Sequence, residues 1–103
     1  MNFNEYVNKR LSILEQRELD GKLQDNLVLE QELFDLQNGK PLNTNTVMGY
    51  LSFCNGNPIS YADFVCGISS RLGITTQEWH TVPESELMKE ITLFGEQLRN
   101  TIF

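Results

Sequence analysis

The chain has 103 residues, of which 40% are hydrophobic and 21% charged, the composition of one small folded domain with a modest core. Fourteen Asp and Glu against eight Lys and Arg leave a net charge of −6, which repels phosphate backbones unless the basic residues cluster. They do not cluster: residues 1–37 carry 8 acids and 4 bases and residues 38–103 carry 6 acids and 4 bases, so neither half offers a cationic face and direct nucleic-acid binding is not expected.

No apolar run approaches the roughly 18 residues that span a bilayer, and Met1-Asn2-Phe3-Asn4-Glu5 lacks the basic and apolar regions of a signal peptide. The expectation is a cytoplasmic protein with no membrane partner. Cys54 and Cys66 are not spaced as a redox or metal motif, and His80 is their single histidine companion, whereas a structural zinc site needs about four such ligands. Both cysteines read as buried free thiols.

In chain order, Phe3, Tyr6, Val7, Leu11, Ile13 and Leu14 follow helical spacing, and Asp20-Gly21 supplies a stop, which predicts a first helix over 4–19. Asp25 reads as the cap of a second helix through Leu27, Val28, Leu33, Phe34 and Leu36, ending at Asn38-Gly39 with Pro41 beyond. The polar run Asn43-Thr44-Asn45-Thr46 favours a cap, and Val47, Tyr50, Leu51 and Cys54 behind it predict a short third helix closing at 55–58.

Ser60-x-x-Asp63 resembles a capping box, so a fourth helix is predicted to start near Tyr61, with Tyr61, Phe64, Val65, Ile68 and Leu72 along one side and Gly73 as a left-handed stop. Thr75-x-x-Glu78 forms a second box, which predicts one helical turn around Trp79. Pro83 suits the first position of the last helix, where Glu84 and Glu86 sit at its positive end and Leu87, Ile91, Phe94 and Leu98 repeat at three- and four-residue steps. With no strand pattern, the fold class is all-α: one small domain of four to six short helices with a Pro-initiated carboxyl-terminal helix.

Little in the chain speaks for catalysis. A glycine-rich phosphate cradle, a paired-histidine metal motif and a nucleophile elbow are all missing, so no enzyme activity, cofactor or metal is expected. His80 beside Glu78 or Glu84 reads as a turn residue rather than a general base, and Glu84, Glu86, Glu90 and Glu96 as a solvated helix face rather than a metal cluster. A helix-turn-helix reading of residues 69–82 fails because Thr75 to His80 carries no Arg or Lys and Pro83 cuts it short. Trp79 fits either a core plug or an exposed anchor for a partner. The end Asn100-Thr101-Ile102-Phe103 either docks on the body or enters a partner's pocket.

The succession Ile59-Ser60-Tyr61-x-Asp63, Leu72-Gly73-Ile74, Trp79, Val82-Pro83, Leu87-Met88-Lys89-Glu90-Ile91 and Glu96-Gln97-Leu98 resembles the late-transcription coactivators of T-even-like bacteriophages and their cyanophage relatives. The resemblance covers residues 57–103; residues 1–56 carry no family assignment. It implies a monomeric, non-enzymatic adaptor in the bacterial host cytoplasm that binds the β-flap of host RNA polymerase, and a link to the phage sliding clamp and late sigma factor. On that reading Tyr61, Phe64, Val65, Trp79, Leu87 and Ile91 are the polymerase-binding candidates, and Ile102 and Phe103 the clamp-binding candidates. The clamp-binding tails of the family resemble an acidic residue followed by aromatic and leucine residues, whereas this chain ends Arg99-Asn100-Thr101-Ile102-Phe103. Two alternatives from other classes are an acidic inhibitor that occupies a host protein's nucleic-acid-binding surface and an assembly protein whose first two helices pair with copies of themselves through Leu11, Leu14, Leu33 and Phe34.

Overall fold

A computed structural model of the chain describes residues 2–100. Among them lie five α-helices, α1 (Phe3–Leu19), α2 (Leu27–Gln37), α3 (Thr44–Asn55), α4 (Tyr61–Leu72) and α5 (Glu84–Asn100), and one 3₁₀ helix, Thr76–Thr81, with no strand. The all-α expectation is met. No helix among the described residues is long and apolar enough to cross a membrane.

The helix ends follow the local chemistry of the chain, with three corrections. Asn2 caps α1, its side chain accepting from Glu5 N–H at 2.8 Å, and Ser60 caps α4, accepting from Asp63 N–H at 3.1 Å. Gly73 takes the left-handed conformation (φ 71°) that stops α4. The cap of α2 is Asn26 rather than Asp25, because Asp25 itself turns left-handed (φ 66°) and delivers the next residue to the position whose side chain accepts from Leu29 N–H. Thr75 does not close a capping box: its hydroxyl donates to Glu78 Oε1 at 3.2 Å, and the six residues after it wind as a tighter 3₁₀ turn. Pro83 stands one residue before α5, its carbonyl accepting from Glu86 and Leu87 N–H.

The chain divides into two compact units, Met1–Val47 and Met48–Phe103, and the division falls inside α3. In the first unit α1 packs on α2 around Leu14, Leu23, Leu33 and Leu36, with Val7, Leu11 and Leu29 against them. Leu11, Leu14 and Leu33 are thereby used within one chain, which corrects the reading of them as a self-pairing surface. The same unit buries a charge. Glu32 is fully enclosed and accepts from Arg10 Nε at 2.9 Å, from Arg10 Nη2 at 3.0 Å and from the Thr46 hydroxyl at 2.7 Å, so each carboxylate oxygen has a strong donor. This bond holds the Arg10 guanidinium even more firmly protonated than usual, and burial raises the pKa of the nearby Tyr6 phenol.

In the second unit α4 packs on α5 and on the 3₁₀ turn. Its buried side chains are Tyr50, Leu51, Cys54, Phe64, Ile68, Leu87, Ile91 and Phe94. Two glycines are explained by close approach. A Cβ on Gly95 would sit 3.0 Å from both Cys54 Sγ and Tyr50 Cε2, and one on Gly67 would overlap the Phe94 ring. Arg71 lies over the same ring, its guanidinium carbon 4.9 Å from the centroid.

Candidate functional site

The six polymerase-binding candidates all lie in the second unit, and helix geometry sorts them. At roughly 100° per residue, Phe64 and Ile68 share the face of α4 that packs on α5, while Tyr61 and Val65 stand on its flank. On α5, Leu87, Ile91 and Phe94 form the matching stripe. Phe64, Leu87 and Ile91 are therefore core residues, a correction to their assignment as contact residues: a helix must bury its apolar stripe against its first partner, and here that partner is the neighbouring helix.

Tyr61, Val65 and Trp79 remain accessible. Tyr61 is 59% exposed, and Val65 and Trp79 are half-buried. Tyr61 and Trp79 flank Phe64 in a small aromatic stack, Trp79 meeting Phe64 edge-on at 5.7 Å between ring centroids and Tyr61 tilting over Phe64 at 6.2 Å. Trp79 is thus both plug and rim. Its indole Nε1–H is enclosed yet finds no hydrogen-bond acceptor among the described residues, a donor whose desolvation is not offset. Ile102 and Phe103, the clamp-binding candidates, lie outside the described residues.

A second apolar surface lies in the first unit, on α2, which is apolar on two opposite faces. Leu29, Leu33 and Leu36 point inward. Leu27 and Phe34, seven residues apart and hence on one outward stripe, are 77% and 56% exposed. Beside Phe34 runs a groove of about 320 Å³ between the end of α1 and α2, floored by Leu23 and Leu33 and edged by Glu18 and Glu30. Beside Leu27 and Val28 is a shallower hollow of about 360 Å³, edged by Gln31 and Asn43. The sequence pattern had a signal for this surface in the continuous apolar set Leu27, Val28, Leu29, Leu33, Phe34 and Leu36, which is wider than one face of a helix can bury.

The remaining candidates stay apart. His80 is exposed in the 3₁₀ turn, and Cys66 is exposed on α4 while Cys54 is buried, so only one thiol fits the buried expectation. Burial, reinforced by a hydrogen bond with the Cys54 thiol, pushes the Tyr50 phenol up to about 12. Among the described residues no three His, Cys, Asp or Glu converge on a point where they could hold a metal ion. Comparisons with protein-family models, with curated proteins and with solved structures find no match to the chain.

Proposed function

We propose that the protein is a phage adaptor that binds host RNA polymerase at its β-flap in the bacterial cytoplasm, using the flank of α4 and the 3₁₀ turn as its contact surface. The observation that carries this reading is the placement of Tyr61, an exposed aromatic side chain against the buried Phe64 ring, which Trp79 meets edge-on. Tyr and Trp dominate binding energy at protein interfaces because they supply large rigid contact area at small entropic cost. The order of helix, glycine stop, aromatic turn and Pro-preceded helix over residues 57–103 supports the choice of partner, since it is the order that resembles the phage coactivators. Neither a cofactor nor a bond-making step belongs to this function. Its affinity would come from apolar area removed from water, at roughly 25 cal/mol per Å². Ile102 and Phe103 would link the complex to a sliding clamp beside the late sigma factor.

Retention of bacterial RNA polymerase and of the isolated flap on immobilised full-length protein tests the proposal. Wild type should retain both, and Tyr61→Ala should weaken retention about tenfold, the loss of a good interface anchor, with its helical circular dichroism unchanged. A folded wild-type protein that retains neither ends the polymerase reading. Removal of Ile102 and Phe103 should leave polymerase binding in place and abolish retention of the clamp; persistence of clamp binding would overturn the role of the tail.

A further inference from the structure

The outward face of α2 is independent of the polymerase proposal: it lies in the other unit and uses other residues. We propose that this face docks a basic amphipathic helix of a partner protein, with two apolar anchors of that helix seated beside Leu27 and Phe34 and a Lys or Arg set against Glu18 and Glu30. Leu27 and Phe34 lie two turns apart on one stripe, a separation of about 10 Å along the axis, which is the spacing that a helix presents at i and i+7. Each has a hollow next to it, of about 360 Å³ at the Leu27 end and about 320 Å³ at the Phe34 end, the lower end of the range that holds a bound group.

Charge selects the occupant. The ionisable side chains lining the Phe34 groove are Glu18 and Glu30, both carboxylates, and no base lines it. The hollow at the Leu27 end has no charged lining residue. An acidic or phosphate-bearing occupant would meet like charge at one end, and a neutral apolar one would leave the two carboxylates partly desolvated without a counter-ion. A second copy of the chain, paired about a two-fold axis, would set the carboxylates of one copy against hollows that no base lines, again leaving them without a counter-ion. A helix carrying Lys or Arg at one end and apolar side chains seven apart satisfies both ends.

The probe is a synthetic helical peptide with leucines at heptad spacing and lysines elsewhere, titrated into isotope-labelled full-length protein at physiological salt and followed by amide chemical shifts. The shifts should concentrate on Leu27, Glu30, Phe34 and Gln37. Phe34→Ala should weaken binding about tenfold, as should Glu18→Gln combined with Glu30→Gln, while Glu5→Gln combined with Glu15→Gln, which changes net charge equally, should leave affinity within about twofold. Because Phe34 is more than half exposed, its removal should not unfold the protein; if it does, Leu27→Gln carries the same test. Equal affinity for a lysine–glutamine peptide without leucines, equal loss in the Glu5 and Glu15 variant, or shifts centred elsewhere would each overturn the proposal. So would concentration-dependent dimerisation abolished by Phe34→Ala, which would make the occupant a second copy.

Discussion

Residues 1–47 and 48–103 are both built from short helices, yet different forces hold them. The first unit has a small leucine cluster and a fully enclosed carboxylate clamped by Arg10 and Thr46. The second relies on interlocking rings, with two glycines that let a phenyl ring, a phenol and a thiol approach the backbone. An ion pair tolerates little loss, because removing one partner strands a charge in a medium that solvates it poorly. Ring packing fails differently: an added methyl group forces neighbours aside without stranding anything. The first unit also leaves an apolar stripe of α2 exposed, whereas α4 and α5 commit their stripes to each other.

The contrast can be broken most directly at Arg10. Arg10→Ala should cost about 3–5 kcal/mol in chemical denaturation, the usual penalty for an orphaned buried charge, and replacing the set together as Arg10→Met, Glu32→Leu and Thr46→Val should restore most of it. A cost for Arg10→Ala below about 1 kcal/mol would place the pair with ordinary surface bridges and erase the difference between the units.

The corresponding blow to the second unit is smaller. Gly67→Ala should cost about 1–3 kcal/mol by overpacking, and Phe94→Leu in the same chain should recover part of that cost by withdrawing the ring. If Gly67→Ala is neutral, the ring has room to move and close approach is not what holds α4 to α5. Ser60→Ala should cost about 1 kcal/mol, the worth of an N-cap, read as faster amide exchange over the first turn of α4.

The least effect at neutral pH is expected at Tyr50. Its pKa in the folded protein lies above the unfolded value, so its contribution is complete below about pH 10 and is lost as pH rises towards about 12. Tyr50→Phe should therefore flatten the alkaline fall in stability over that window and change little at pH 7. Phenolate absorbance during titration checks the assignment directly: a Tyr50 that ionises at the ordinary value is not buried as described.

The local features that proved legible are those decided within four or five residues. Ser60, Gly73 and Asn38-Gly39 mark helix ends because their own side chains or backbone freedom set the local hydrogen bonds. The cap of α2 falls at Asn26, one residue beyond the Asp25 that the pattern predicts, because Asp25 takes a left-handed conformation that its residue type does not announce. The candidate contact residues were harder. Tyr61, Phe64 and Val65 look alike in a helical pattern, and only the position of α5 decides which of them is covered. Gly67 and Gly95 lie in the middle of helices, and the reason is tertiary: the Phe94 ring stands against the first and the Tyr50 and Cys54 side chains against the second.

By itself the amino-acid sequence determined the helical class, five helices with their approximate ends and a net acidic character, because periodicity, capping and net charge are properties of neighbouring residues or simple sums. Tertiary structure alone decided that Glu32 is buried with Arg10, that Phe64, Leu87 and Ile91 face inward, and that Leu27, Phe34 and Tyr61 face out. Those outcomes depend on which face of each helix meets another across tens of residues of chain, and an apolar residue on either face obeys the same local rules.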